Sequence, residues 1–281
     1  MKDLKQRVLV SGSLVIVLVC LVLFSANPLV GLLICAFAAL LSGIATYEMS
    51  LLIMKKGWDL HRLILVSASS ILPFAFYAAV RDPKYHAIPY ILLFSVFSLL
   101  LFLQFRKMIT GSIERVALEL LALFYVSLPM GLFFTILYPP VTFFSHQDGR
   151  IWFFYLIAVT KITDIAAYFV GSRYGKRPFS PLISPKKSWE GAIAGFVAAV
   201  LTSLLFHFFT SSAFSLSLLE ALWLGALISV AGMFGDLAES LFKRDAMVKD
   251  SGFLPGVGGA LDLLDSLLVT VPILYFFLTA R

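Results

Sequence analysis

Residues 235–266 read GDLAESLFKRDAMVKDSGFLPGVGGALDLLDS, a stretch that starts inside one apolar run (218–240) and ends inside another (258–279). It holds six of the chain's 16 Asp and Glu side chains, Asp236, Glu239, Asp245, Asp250, Asp262 and Asp265, beside Lys243, Arg244 and Lys249. Charges of both signs at the ends of apolar helices are costly near lipid unless they pair or bind something. The flanking runs therefore decide the fold, a membrane-spanning one, and the stretch between them is where chemistry is to be sought.

Composition agrees with that reading. A length of 281 residues allows one or two soluble domains, but 60% apolar residues and only 14% charged ones exclude them. Cys20 and Cys35 both lie in apolar runs, so neither a disulfide framework nor a Cys-based zinc site is available. The net charge of +6 does not call for nucleic acid, because Lys and Arg in membrane proteins mark cytoplasmic loops.

Runs long enough to cross a hydrocarbon core, about 20 residues each, fall near 8–26, 29–53, 62–80, 87–105, 117–138, 151–171, 190–209, 218–240 and 258–279. The expected fold is an all-α polytopic membrane protein of about nine transmembrane helices. Lys2, Lys5 and Arg7 precede the first run, but its length and the poor cleavage site at Phe24-Ser25-Ala26 make it a retained helix.

Alternating the connections gathers Lys2, Lys5, Arg7, Lys55, Lys56, Arg62, Arg106, Lys107, Arg115, Arg173, Lys176, Arg177, Lys186, Lys187, Lys243, Arg244 and Lys249 on one side. Only Arg81, Lys84, Arg150 and Arg281 fall on the other, so the N-terminus and the basic loops are expected in the cytoplasm. Trp58, Tyr85, Tyr90, Tyr138, Trp152 and Trp189 suit the interfacial belt, and Gly191 with Gly195 suits close helix packing.

The chain is expected to divide into an N-terminal region, 1–115, of about four spans, and a catalytic region, 116–281, of about five. The first is poor in intramembrane polar groups. Glu48 and the Lys55-Lys56 pair are exceptions, read as snorkelling from a helix end. The second has longer polar connections, at 172–189, 235–257 and 258–266.

Three constellations stand out in that second region. Lys161, Asp164 and Tyr168 share one helical face, either as a functional intramembrane group or as a mutually neutralising pair with its neighbour. Ser184-Pro185-Lys186-Lys187-Ser188, just before a helix, offers two ammonium groups, two hydroxyls and helix N-terminal N–H groups to phosphate. Its alternative is a basic loop drawn to anionic headgroups.

The third constellation is a pair of acid pairs. Asp236 with Glu239, and Asp262 with Asp265, are each one turn apart on successive spans and could together supply carboxylates to a divalent metal. Helix capping is a partial alternative for Asp262 and Asp265. Between the pairs, Lys243, Arg244 and Lys249 supply cations, and Gly258 and Gly259 allow close backbone approach.

The run Ser240-x-x-Lys243-Arg244-x4-Lys249-Asp250-x-Gly252, followed by Pro255-Gly256-x-Gly258-Gly259-x-x-Asp262-x-x-Asp265, resembles the signature of phosphatidate cytidylyltransferases. Asp164-x-x-Ala-Tyr168 and Ser184-Pro-Lys-Lys-Ser-x-Glu-Gly resemble that family's upstream motifs, in order. The resemblance is specific over about 160–270 and topological before it.

It implies a multi-pass inner (plasma) membrane enzyme, its active site facing the cytoplasm, that joins CTP and phosphatidate into CDP-diacylglycerol with release of pyrophosphate. Mg²⁺ is the implied cofactor, with a second metal or K⁺ beside it in some members. The implied partners are CTP, phosphatidate and the lipid bilayer, with a homodimer as a further candidate and no nucleic acid.

On this resemblance the catalytic set is Asp236, Lys243, Arg244, Lys249, Asp250, Asp262 and Asp265, with metal at Asp236, Asp262 and Asp265. Lys161, Asp164, Tyr168, Ser184, Lys186, Lys187, Ser188, Glu239, Gly258 and Gly259 would bind substrates. Val257 and Leu263 stand where the family has His and Arg, and one residue is missing before the Pro-Gly pair, so roles for that His and Arg do not carry over.

Two other functions are open to such a chain. A CTP-dependent polyprenol or phytol kinase also transfers phosphorus to a lipid. A polytopic transporter could use Lys161 and Asp164 as a midplane relay, although the polar groups cluster at one face and a carrier also needs a path to the other.

Overall fold

The computed structural model describes residues 19–105, 110–139, 148–209, 216–248 and 259–280. Within them lie eight helices long and apolar enough to cross a membrane. They are α1 (Pro28–Lys55), α2 (Arg62–Arg81), α3 (Ile88–Gln104), α4 (Ser112–Leu137), α5 (Gly149–Tyr174), α6 (Trp189–Phe209), α7 (Leu218–Asp245) and α8 (Ala260–Thr279). A 3-10 turn, Pro83–Tyr85, leads into α3. Each helix meets a span expected from the sequence, while the remaining one, 8–26, lies mostly outside the described residues. The all-α expectation holds with one addition, a hairpin of β1 (Pro178–Ser180) and β2 (Ser184–Ser188).

The chain forms two compact units. One comprises residues 1–134 and 248–263, the other 135–247 and 264–281.

In the first unit, hydroxyl groups form one internal polar cluster. Ser69 Oγ lies 2.8 Å from Ser42 Oγ and 2.7 Å from Thr46 Oγ1, and Ser127 Oγ donates to it at 2.7 Å. All four residues are buried. Lipid offers no partner to a polar atom, so small hydroxyls that satisfy one another can tie α1, α2 and α4 together. Gly131 of α4 lets the Phe76 ring of α2 lie where a Cβ would collide. Glu119, fully buried on α4, accepts the His61 backbone N–H and pairs with His61 Nδ1, each at 2.8 Å.

The expectation for Glu48 is overturned. It does not snorkel: it is 1% exposed and accepts the backbone N–H groups of Ala260 at 3.1 Å and Leu261 at 2.9 Å. The physical reason is at the start of α8. Gly259 precedes it and has no side chain to cap the free N–H groups of the first turn, so a carboxylate from α1 takes them.

In the second unit, α5, α6 and α7 pack through small residues. A Cβ on Gly191 or Gly195 would meet the carbonyl oxygens of Ala167 or Thr163 at 2.6 and 2.7 Å, so the expected close packing of these glycines is present. Gly225 of α7 meets Ser203 of α6, whose hydroxyl donates to Ala221 O at 2.6 Å. Trp152, Phe153 and Tyr155 fill the interior, and Tyr155 packs edge-to-face on Phe206 while its hydroxyl meets Ser203 Oγ at 2.8 Å. Helix α7 begins with a full capping box between Ser217 and Glu220.

Candidate active site

Helix α5 carries Lys161, Asp164 and Tyr168 down one face and ends at Tyr174, after which Pro178 and Pro185 prevent another helix from forming at once. The chain turns back as the β1–β2 hairpin, with Pro178 opposite Ser188 and Ser180 opposite Ser184. Two contacts lock it to the start of α6. Trp189 N–H donates to Arg177 O at 3.0 Å, and the Glu190 carboxylate accepts the N–H groups of Lys176 and Arg177 at 3.1 and 3.3 Å. Ser188 Oγ accepts the Gly191 N–H at 3.2 Å, capping α6.

The Ser-Pro-Lys-Lys-Ser segment is therefore a strand, where the sequence suggested a loop, and its last serine already uses one of the N–H groups expected to be free for phosphate. The strand has a physical consequence. It carries Lys187 across to α7, where its Nζ lies 2.6 Å from Asp236 Oδ2.

These elements enclose a cavity of about 600 Å³. Asp164, Ser184, Lys186, Lys187, Ser188 and Asp236 line its polar side, and Tyr168, Phe179, Ala192 and Met233 its apolar side. Deeper along α5, Lys161 Nζ lies 3.4 Å from Asp164 Oδ2 and donates to Ser266 Oγ at 3.2 Å. Ser266 Oγ donates in turn to Asp164 Oδ2 at 3.3 Å. Asp265 lies in the electrostatic field of Asp236, Lys161 and Asp164. Its backbone meets α7 at Gly235, where any side chain would collide with the Asp265 carbonyl. A glycine is thus what lets Asp236 and Asp265 approach.

Three carboxylates, Asp164, Asp236 and Asp265, therefore stand with three ammonium groups, Lys161, Lys186 and Lys187. Lys161 pairs with Asp164 and Lys187 with Asp236, so the charges of both signs largely offset one another. Carboxylate oxygens on Asp236 and Asp265 are the donors a hard divalent cation takes, so the donor chemistry fits Mg²⁺. Among the described residues no three His, Cys, Asp or Glu side chains form a ready cage for a metal.

Other expected site residues are placed differently. Glu239 is buried and pairs with Lys243 one turn on, at 2.5 Å, and so does not stand as an open partner of Asp236. Arg244 Nε donates to Ile183 O at 3.2 Å, bracing the tip of the hairpin. In the first unit, Asp262 accepts the Gly259 N–H at 2.8 Å, the helix-capping arrangement weighed from the sequence. Lys249, Asp250 and Gly258, with Val257 among their neighbours, lie outside the described residues.

Sequence reasoning passed over Ser266, although a hydroxyl beside Asp265 in an apolar span was a usable signal. It also passed over Phe179 and Met233, which carried none.

Comparison with known proteins bears on this site. The family model described as "Cytidylyltransferase family" matches residues 5–280. A relative from Chlamydia trachomatis, named "Phosphatidate cytidylyltransferase", is 37% identical over 293 residues, covering 98% of this chain and 93% of the relative. One from Chlamydia muridarum with the same name is 35% identical over 98% of this chain and 93% of its own length. One from Bacillus subtilis, again of that name, is 34% identical over 99% of this chain and 98% of its own. A match that runs the whole length takes in both the spans and the cavity, and the chain belongs to the cytidylyltransferase family.

Proposed function

We propose that the chain transfers the cytidylyl group of CTP to phosphatidate, giving CDP-diacylglycerol and pyrophosphate for phospholipid synthesis. The observation that carries this reading is the cavity lined by Lys186, Lys187 and Asp236 on one side and by Tyr168, Phe179 and Met233 on the other. A phosphate on an apolar body needs such a pair of surfaces. The three full-length relatives share a name that states this reaction.

In the proposed step an oxygen of the phosphatidate phosphate attacks the α-phosphorus of CTP. The bond from that phosphorus to the bridging oxygen breaks, and pyrophosphate departs with the electron pair. The nucleophile is an anion near neutral pH, so no general base is required, which agrees with Val257 in place of a His. Catalysis then rests on positioning and on neutralising charge.

Lys187 is the central group in this account. Its partner is Asp236, and a phosphate oxygen that displaces the carboxylate gains a charge-assisted hydrogen bond. Lys186 adds a second cation, and Lys243, Arg244 and Lys249 belong to the same proposal as phosphate contacts. Lys161, held by Asp164 and Ser266, would face the lipid phosphate. Asp236 and Asp265 would hold Mg²⁺, which when bound would supply positive charge to the triphosphate, and the family resemblance adds Asp262 to the residues of the catalytic machinery. The excess of Lys and Arg on one set of connections supports a plasma-membrane orientation with this cavity toward the cytoplasm, where CTP is dissolved.

The test uses the purified chain in lipid nanodiscs with CTP and Mg²⁺. Pyrophosphate release that requires phosphatidate is the expected result. Release of CDP with phosphorylation of a prenol, and no reaction of phosphatidate, would make the chain a kinase. Solute flux in proteoliposomes without CTP turnover would make it a transporter.

A further inference from the structure

We propose that Glu48 is a positioning residue for this reaction, holding the first turn of α8, and with it Asp262, from another helix of the same unit. The inference rests on the reading of Asp262 as part of the catalytic machinery.

A complete capping box needs two partners: an N-cap side chain that accepts an N–H of the first turn, and an acid three residues on that accepts the N-cap N–H. Helix α7 has both, in Ser217 and Glu220. Helix α8 has only the second half, because Asp262 accepts the Gly259 N–H at 2.8 Å while Gly259 has no side chain. Glu48 supplies the missing half from α1, more than two hundred residues away in sequence, with Oε1 on the Ala260 N–H at 3.1 Å and Oε2 on the Leu261 N–H at 2.9 Å.

Several features separate this arrangement from an incidental contact. The carboxylate is 1% exposed, so its solvation has been given up for these bonds. Both oxygens are used, on consecutive N–H groups, which fixes the rotation of the first turn as well as its position. The charge also lies at the positive end of the α8 dipole, where a carboxylate is favoured. A local cap on residue 259 would put a side chain on the glycine-rich connection itself. A remote cap leaves that backbone bare.

The test compares wild type with Glu48→Ala and Glu48→Gln as full-length protein in nanodiscs. In Glu48→Ala, hydrogen exchange in a peptide covering residues 259–266 is expected to quicken by about tenfold or more as the first turn frays. The kcat for cytidylyl transfer should fall by about 10–100-fold, the range a misplaced catalytic group costs, with the KM for CTP within about twofold. The activating Mg²⁺ concentration should rise. Glu48→Gln keeps one acceptor and should fall between the two, and it gives the same comparison if the alanine variant does not assemble.

Unchanged exchange would overturn the proposal, and so would faster exchange with an unchanged kcat and Mg²⁺ midpoint, which describes a purely structural cap. Asp262→Asn separates the two layers. Full activity in that variant, alongside faster exchange in Glu48→Ala, would overturn the role of Asp262 and the positioning claim with it, while the cap itself would stand.

Discussion

Lys187 and Asp236 neutralise one another across 2.6 Å at the polar side of the cavity, each about a third exposed. That exposure lies along the Lys187 stem, since its Nζ is itself buried, so an anion reaches the ammonium by taking the place of the Asp236 carboxylate against it. Replacing Lys187 by Ala should lower kcat/KM for CTP by about 10–100-fold, or about 1.4–2.7 kcal/mol, mostly through KM. Lys187→Arg should retain part of the activity. Unchanged steady-state kinetics in Lys187→Ala would return the residue to a structural role.

The pairing itself was not legible in the sequence, because it joins a hairpin to a helix far along the chain. The Lys161–Asp164 pair was, since both residues lie on one helix a turn apart. Glu48 marks the opposite limit. A carboxylate near a helix end looks like a snorkelling one until the helix that it caps is in place.

At the scale of elements, the helices were the readable part. Each is an apolar run long enough to span lipid, and the breaks between them carry Pro, Gly and charge. The hairpin was not readable, since Pro178–Ser180 and Ser184–Ser188 are too short and too polar to show a strand period.

Close packing was readable at Gly191 and Gly195 from their spacing alone. The structure adds the reason, which is a backbone carbonyl of α5 opposite each glycine. Gly195→Val should therefore force α5 and α6 apart and cost about 1–3 kcal/mol, seen as a lower thermal midpoint in detergent. Ile193→Leu, on an exposed position of the same helix, should leave the midpoint unchanged. Equal midpoints for Gly195→Val and wild type would mean that the two helices are not held this closely.

At the scale of the molecule, hydropathy and the Lys and Arg bias dictate a polytopic protein, and the motifs over 160–270 point to its family. What hydropathy could not reveal is how charge is balanced inside the cavity, because that depends on which side chains meet across α5, β2, α7 and α8.

The central claim is that this cavity is where the cytidylyl group moves. The most direct measurement follows α-labelled CTP in nanodiscs containing phosphatidate, for wild type and Asp236→Asn. The account predicts label in extracted lipid, matched by an equal release of pyrophosphate, and a loss of both of about a hundredfold or more in the variant while the protein stays inserted and folded. Lipid labelling by Asp236→Asn at the wild-type rate would contradict it.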